Sequence, residues 1–374
     1  MGYNGPQPQM KKTLLLALAM FFTTASFAQQ QLATLNHNDS ITVFYGIDAL
    51  ISAHNAAVSG DIITLSSGFF NSVNITKAVS IRGAGAWQYN GNAITVLQKS
   101  FKINIANDST HHLTLEGLYA YDYVFFLKVY NPQFIKCHFA KFNYGSVSGV
   151  TPVMQNATFI NCIVESWTSS PSSSTWYAQG THFINSVILH SYLASSTSYL
   201  GYNSPDNFTN CIVEQMPYHE ATNARMFQNC ILYYEYPMTA NESTSYLSNN
   251  SQTAFNCIFV QTNNNSSYIS NLFSNTAQRV LWNKRGMNAV FKNFNGTYNG
   301  IDFELLDTIA NTCLGTDGTQ VGIYGGFMPF DPRVTNPMIR SINVGQRSTP
   351  DGKLAVDIEV VSEETQDDET SNDE

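Results

Sequence analysis

The chain has few charged residues. Asp, Glu, Lys and Arg make up 12% of its 374 residues, about half of the roughly 25% that is usual. Nine of the 27 acidic residues lie between positions 357 and 374, so the rest of the chain balances 18 acids against 18 bases. The sequence therefore offers no basic cluster for nucleic acid, and residues 363–374 are predicted to form an acidic, disordered tail.

Long apolar runs are also scarce, and the single one lies near the start. It spans Thr13–Phe27, follows Lys11-Lys12 and leads into a small-x-small cleavage sequence that ends at Ala28. This arrangement is typical of a secretory signal peptide, so we assign residues 1–28 to a leader and signal peptide. Because the run is short and no Cys follows the cleavage site, we expect an exported protein, in the periplasm, on the cell surface or in the medium, that is neither a lipoprotein nor membrane-spanning once mature.

Helical periodicity and a leucine framework are missing from the middle of the chain, which argues against helical and leucine-rich repeats. A short motif recurs instead, with an aromatic residue, an Asn, a Cys or Ser and two apolar residues. Aligned on the Cys/Ser column, successive copies are 25, 24, 25, 19 and 27 residues apart. A period in the twenties indicates stacked units that bury their apolar sides on one another. The copies begin at Phe134, Phe159, Phe183, Phe208, Phe227 and Phe255.

The repeated segments are rich in β-branched and aromatic residues, with Ser, Thr, Asn and Gly between them, which predicts strands and turns. A right-handed parallel β-helix fits best, because its coils hold roughly 20–25 residues and stack about 4.8 Å apart. We therefore predict an all-β solenoid over residues 29–330. Stacked cysteines in it should be buried free thiols, since their Cβ atoms lie too far apart for a bridge. Stacked asparagines at left-handed bends should form an amide ladder through Asn161, Asn185, Asn210, Asn229 and Asn256.

The two ends of the solenoid have their own signals. Ala and Leu recur at helical spacing within Tyr45–Gly60, which predicts a short helix, stopped by Gly60, that covers the open N-terminal end. The turn-rich segment Gly315–Gly326 is predicted to be the last coil. Alternating residues in Ile339–Val344 and Leu354–Val361 predict a β-hairpin within residues 331–362, either a C-terminal cap or a small separate module.

The opening segments GDIITLSSGFF (residues 60–70) and NITKAVSIRGAG (residues 74–85) resemble those of pectin-lyase-like right-handed β-helix proteins. The similarity is strongest to exported, uncharacterised proteins of this type from Bacteroidetes and covers roughly residues 40–330. It implies the fold but no activity, because lyases, hydrolases, esterases, adhesins and non-enzymes share it.

Two enzyme classes on this fold make specific demands. Polysaccharide lyases use carboxylates that hold Ca²⁺ together with an Arg or Lys base, but Lys141 and Arg225 are isolated bases. Ca²⁺ is thus expected only if the protein is a lyase, and no other cofactor or metal site is predicted. Hydrolases use paired carboxylates, for which Glu165 and Glu214 are the candidates. They lie two coils apart, about 9.6 Å at Cα, near the roughly 6.5–9.5 Å carboxyl separation of inverting enzymes. The alternative is that both are solvated turn residues.

Aromatic residues crowd the loops and strand ends between the repeats. Rings beside Asn and Ser could stack on sugar faces while amides bond the hydroxyls, although packing under the loops is the alternative. We expect a non-catalytic, adhesin-like protein that contacts a polysaccharide, a cell-surface glycan or another surface. The alternatives are a polysaccharide lyase or glycoside hydrolase, and a purely structural assembly component. The candidate ligand-binding residues are Trp167, Trp176, Tyr177, Tyr202, Tyr218, Tyr233, Tyr234 and Tyr236.

Overall fold

Two long sheets of mostly parallel strands dominate the computed structural model of the chain. One has 11 strands and the other 14, and the chain alternates between them as it advances. Equivalent strands of successive repeats pair directly, so the chain forms a parallel β-helix and the predicted fold class is confirmed. The structure describes residues 31–87, 94–144, 153–169, 177–189, 207–214, 225–234, 252–261, 281–285, 287–293, 303–331, 338–348 and 354–361. The predicted signal peptide and acidic tail lie outside these residues.

The 11-stranded sheet, sheet 1, contains one strand from each repeat. Two antiparallel strands at its N-terminal edge, β1 (Leu32–His37) and β2 (Ser40–Tyr45), precede the parallel ones. The parallel strands are β3 (Ile62–Leu65), β5 (Ser80–Arg82), β8 (Thr114–Glu116), β10 (Gln133–Ile135), β13 (Thr158–Ile160), β17 (His182–Ile184), β19 (Asn207–Thr209), β21 (Arg225–Gln228) and β23 (Gln252–Phe255).

The 14-stranded sheet, sheet 2, follows sheet 1 in each repeat and begins after the left-handed bend. Its strands are β4 (Gly68–Phe70), β6 (Thr95–Leu97), β7 (Phe101–Asn104), β9 (Tyr119–Tyr130), β11 (His138–Tyr144), β12 (Val153–Gln155), β14 (Ile163–Val164), β15 (Trp167–Ser169), β16 (Tyr177–Gln179), β18 (Val187–Ile188), β20 (Ile212–Glu214), β22 (Ile231–Tyr234), β24 (Cys257–Gln261) and β25 (Leu281–Arg285).

Stacked phenylalanines fill the interior between the sheets. Phe134, Phe159, Phe183, Phe208 and Phe227 occupy the same position on successive rungs. Their side chains are buried, and neighbouring ring centroids lie 4.6–5.0 Å apart. This spacing equals the distance between strands, so each ring lies on the next and gains about 1 kcal/mol beyond its area burial.

The six cysteines are buried free thiols, as predicted. The thiols of the stacked column donate to backbone carbonyls: Cys162 Sγ lies 3.2 Å from the Phe134 oxygen, and Cys211 Sγ lies 3.3 Å from the Phe183 oxygen. Burial raises the pKa of the Cys162 thiol well above its ordinary value. Because the thiols of the column are fully buried, they act as packing residues and are out of reach of reactants.

The stacked asparagines occupy the left-handed bends between sheet 1 and sheet 2, as predicted. Their φ angles are +53° at Asn161, +45° at Asn185, +53° at Asn210, +55° at Asn229 and +46° at Asn256. The predicted ladder of amides is wrong for most of the column. A single long contact of 3.5 Å joins Asn229 Nδ2 to Asn210 Oδ1, and other amides in the column bind a different part of the chain.

That part is residues 303–331, which we call the C-terminal strap. The prediction that its segment Gly315–Gly326 forms the last coil is wrong. This segment lies along the outside of the solenoid. Asn256 Nδ2 donates to the Leu314 oxygen at 3.2 Å, and Asn185 Nδ2 donates to the oxygens of Ile323 and Gly325 at 2.7 Å each. The strap thus runs back over earlier repeats, and the Asn column holds it.

Glycine allows the strap to approach this closely. A Cβ added at Gly325 would lie 1.7 Å from the Gln320 oxygen and 2.7 Å from Asn210 Nδ2, which is closer than atoms can pack. The sequence of the strap correctly predicts a series of turns. Its placement depends on contacts with residues more than 80 positions away, which a local pattern does not reveal.

The strap also covers a second hydrophobic core on the outside of sheet 2. Ile163 faces outward there, whereas the next residue, Val164, belongs to the inner core. Because the strap shields this outer row from water, the row can be as apolar as the interior. The buried members from sheet 2 are Ile163, Val187, Ile212, Ile231, Ile258 and Val260, and those facing them include Phe303, Leu305, Ile309, Cys313, Val321, Ile323 and Phe330. The strap also contains a short helix, α2 (Asp307–Ala310), which follows the 3₁₀ turn Met287–Ala289.

At the N-terminal end, the predicted covering helix is present but shorter than predicted. It is α1 (Ala49–Ala56), and its Leu50 and Ala53 pack into the inner core. Gly60 does not end it. The Lys77 ammonium donates instead to the carbonyls of His54, Asn55 and Ala57 at 2.6–3.0 Å, which favourably places a cation at the helix C-terminus.

The predicted C-terminal hairpin is also present. The antiparallel strands β26 (Met338–Ser348) and β27 (Leu354–Val361) pair with each other. No helix in the described part of the chain is long and apolar enough to cross a membrane.

The buried His54 predicts a pH-dependent stability. Burial and the charge of Lys77 lower its pKa from 6.5 to about 4, so between these values the unfolded chain binds a proton that the folded chain does not. Stability is therefore lost as the pH falls from 6.5 towards 4, by about 2 kcal/mol after allowance for solvent screening. Chemical denaturation across this range should show the loss, and His54→Gln should reduce it. His112→Gln, at an exposed histidine, should leave it unchanged; the same loss in both variants would contradict this assignment.

The hydrogen bonds between the strap and the Asn column predict that substitutions at two asparagines will lower the free energy of unfolding by different amounts. Asn185→Gly keeps the left-handed bend but removes both bonds to the strap, so it should lower the free energy of unfolding by about 2 kcal/mol more than Asn156→Gly. Asn156 is the matched control because it has a φ of +52° and an exposed side chain, whose amide donates to Asn131 Oδ1 at 3.0 Å in contact with solvent and not to the strap. Urea denaturation measures both values, and equal losses would show that the amide bonds do not hold the strap.

Candidate functional site

The eight aromatic residues predicted to bind a ligand fall into two groups in the structure. The first group, Trp176, Tyr202, Tyr218 and Tyr236, lies outside the described residues. The second group lies on strands whose backbone is described, while the side chains are not: Trp167, Tyr177, Tyr233 and Tyr234. Trp167 pairs in register with Phe142, a residue of the inner core. Because none of these eight side chains is described, their role in ligand binding stays a prediction.

The two candidate acids occupy equivalent positions two rungs apart, as the repeat predicted. Ile163, Val187 and Ile212 align on successive strands, and Glu165 and Glu214 each follow two residues later. Their surroundings differ. Glu214 is buried, whereas the Glu165 side chain is 43% exposed. An acid–base role for the pair stays a prediction, but Glu165 alone reaches solvent.

Glu165 belongs to a cluster built around His138, the first residue of β11. His138 lies between Tyr119 on the preceding rung and Ile163 on the following rung. Its imidazole stacks on Tyr119, with centroids 4.2 Å apart and an interplanar angle of 11°, and on Trp87, at 4.1 Å and 10°. Two rings cannot occupy the same side of the imidazole at these distances, so His138 is held between them.

The buried imidazole also fixes the carboxylate. His138 Nε2 lies 2.6 Å from Glu165 Oε1, which makes this a short, charge-assisted hydrogen bond. Burial raises the pKa of Tyr119, and the negative charge of Glu165 raises it further. The carboxylate is therefore held in one orientation by the clamped imidazole, with part of its surface in water. It can accept hydrogen bonds from a ligand hydroxyl or exchange a proton with one.

The aromatic cluster continues along β9. Tyr121 is 61% exposed and meets Tyr119 edge-on at 5.9 Å. Tyr123 and Phe125 lie 5.7 Å apart and are partly exposed, on either side of the buried Val124. The pairing of β9 with β11 shifts in register at Tyr121 and Asp122, which together oppose one residue of β11. Such a bulge redirects side chains outward.

Charged groups accompany these rings. Ser100 Oγ donates to Asp122 Oδ2 at 2.7 Å, and this bond is the main cause that lowers the pKa of Asp122. Lys141 is not the isolated base that the sequence predicts, because its Nζ lies 3.8 Å from Asp122 Oδ1 on the neighbouring strand and 4.8 Å from the centre of the Tyr123 ring. Cation–π contact and the carboxylate together hold the ammonium beside the ring. We call this whole surface the β9 aromatic face: Trp87, Tyr119, Tyr121, Tyr123, Phe125 and His138, with Asp122, Lys141 and Glu165.

Most of this face lies on strand β9 and not in the loops between the regular repeats, where the sequence predicts the binding residues. One signal was available. Tyr119, Tyr121, Tyr123 and Phe125 recur at every second position of a segment that reads YAYDYVFF, and this alternation places rings on one side of a strand. The approach of Trp87 to His138 had no such signal, because it comes from separate coils.

Within the described ranges, no three His, Cys, Asp or Glu side chains lie close enough together to share a metal ion. The chain matches no protein-family model, and neither curated proteins nor solved structures provide a match.

The contact between His138 and Glu165 predicts an energetic coupling. A double-mutant cycle with Glu165→Gln and His138→Phe, which keeps the ring stack, should give a coupling free energy of about 1 kcal/mol in urea denaturation. The exposed pair Lys292 and Glu304, 2.6 Å apart, is the control. Its Lys292→Met and Glu304→Gln cycle should give a few tenths of a kcal/mol. Equal coupling in both cycles would mean that burial adds nothing to the His138 bond.

Proposed function

We propose that this protein is an exported, non-catalytic protein that contacts glycans on a polysaccharide or a cell surface, and that it belongs to the pectin-lyase-like right-handed β-helix superfamily. The resemblance of its opening coils supports the family, and the signal-like N-terminus supports export. One observation carries the glycan assignment: the exposed rings of the β9 aromatic face lie beside fixed carboxylate and ammonium groups.

Each component of the face suits a sugar. A pyranose presents C–H groups on one side, which stack on an aromatic ring, and hydroxyls at its rim, which need polar partners. Tyr121 offers the exposed ring. Glu165 and Asp122 offer acceptors, while Lys141 offers a donor, and the three charged side chains are partly exposed.

The scaffold adds rigidity to this surface. Tyr119 and Tyr123 are on a strand that pairs with neighbours on both sides, and His138 is clamped by its two stacked rings. Side chains held in this way lose little conformational entropy when a ligand binds, so a modest contact area still gives measurable affinity.

A carbohydrate-active enzyme, either a polysaccharide lyase or a glycoside hydrolase, is the second candidate. The bond between Glu165 and His138 favours it, because a carboxylate beside an imidazole is a usual acid–base pair. A hydrolase of the inverting type would also need a second carboxylate open to water, and the buried Glu214 does not meet that requirement in its present position. Because Glu214 is the partner that the repeat predicts for Glu165, and it is buried, we favour binding without catalysis.

Binding should depend on the exposed ring. A glycan array with neutral and charged polysaccharides identifies the best-bound probe, and calorimetry with that probe then measures variants. Tyr121→Ala should weaken binding about tenfold, the equivalent of one lost stacking contact. Tyr121→Phe should bind nearly as well as the parent, and Phe327→Ala, at an exposed ring outside the face, should not change affinity.

Three other outcomes would contradict the proposal. Binding that is unaffected by Tyr121→Ala would place the site elsewhere. Depolymerisation of a polysaccharide by the parent protein, with or without Ca²⁺, and its loss in Glu165→Gln would establish the enzyme instead. Stable co-purification with a protein partner, with no glycan bound on the array, would favour a structural assembly component.

A further inference from the structure

The N-terminal edge of sheet 1 has features of an interaction surface. Strand β2 is the outermost strand of the sheet and pairs with β1 on one side. Its other side meets no strand in the described part of the chain. The backbone groups along such an edge are free to pair with another strand.

Strand β2 also lacks the usual protection of an edge. Its sequence, SITVFY, contains no charge and no proline, and all six of its residues pair with β1 without a bulge. Ile41, Val43 and Tyr45 alternate along one side and are 69%, 41% and 63% exposed. Phe44, on the other side, packs against the inner core. Exposed apolar edges of this kind are normally shielded, so the strand is suited to a partner.

The connection to β1 holds this edge in position. The two-residue turn at Asn38 and Asp39 has φ angles of +47° and +63°. These values fit the type I′ turn, whose twist matches that of the two strands it joins. Because β1 also pairs with β3, β2 is an integral strand of the solenoid and presents a preformed edge.

We propose that β2 pairs antiparallel with β2 of a second copy of this chain across a two-fold axis at Val43. In this register Val43 meets the partner's Val43, and Ile41 meets the partner's Tyr45, so the three exposed apolar residues pair with one another. A register shifted by one residue would place these three residues opposite partner residues whose side chains face the other side of the strand. The two solenoids then join head to head, and their sheets form one continuous sheet.

Charge favours a second copy over a different partner. Because β2 carries no charge, two copies can pair along residues 40–45 without placing like charges opposite each other. A charged partner strand would find no complementary group on β2 itself. The paired strands bury roughly 1,000 Å² or less, at the lower end of specific interfaces, so the dimer should be weak and reversible, with a micromolar dissociation constant.

Site-directed crosslinking tests the axis directly. The six native thiols are buried, so Val43→Cys adds one accessible thiol and should form a covalent dimer on mild oxidation. Val58→Cys is the matched control, because Val58 is 50% exposed but lies outside β2, and it should stay monomeric under the same conditions. Sedimentation of the purified parent protein from about 1 to about 300 μM should show the reversible dimer.

Charge substitutions give an independent test. Val43→Lys and Val43→Asp should each be monomeric, because like charges would meet at the axis, and mixing the two variants should restore a dimer. Circular dichroism checks that both remain folded, and the crosslinking result stands if either does not. A parent protein that stays monomeric throughout, equal crosslinking at positions 43 and 58, or no dimer in the mixture would overturn the proposal. A dimer that survives Val43→Lys would place the interface elsewhere. Each of these results leaves the glycan assignment intact, since Tyr121 lies on sheet 2.

Discussion

Hydrogen bonding between successive rungs is the interaction on which the rest of this structure depends. Each strand pairs in register with the equivalent strand before and after it, so identical positions of the repeat lie one above another. This register gives every residue type in the motif its environment. Phe fills the interior and Asn turns the chain, while the thiols occupy the narrow space beside the bend. The same regularity limits chemistry, because a side chain that recurs on every rung serves packing and not one reaction centre.

The places where the repeat is covered or interrupted explain the rest of the molecule. The strap covers the outer row of sheet 2 over the regular repeats, and it binds there through glycine turns and Asn amides. The β9 aromatic face lies on the earlier coils, where β9 is a strand of 12 residues with a bulge. Exposed rings, a clamped imidazole and a fixed carboxylate occur together there, which is why that surface and not the repeat itself is the candidate site.

Sequence alone revealed the features that recur and missed those that depend on distant contacts. The period of the motif predicted the parallel coils, and the tolerance of Asn for left-handed backbone predicted its position at the bend. The buried thiols followed from the same stacking. In contrast, the sequence of the strap resembles one more coil because it is rich in the Gly and Thr residues that are typical of turns. The stacking of Trp87 on His138 depends on how two coils pack, and Glu165 was found by its spacing while its imidazole partner was not.

The absence of disulfide bonds in the described chain has a consequence for how this protein folds. All six thiols are enclosed by the solenoid or its strap. None of them therefore needs an oxidant or a disulfide isomerase to reach its folded state. Folding can therefore proceed at the rate set by strand pairing, without the slower redox steps that many secreted proteins require. The stability of the folded protein should also be unchanged under reducing conditions.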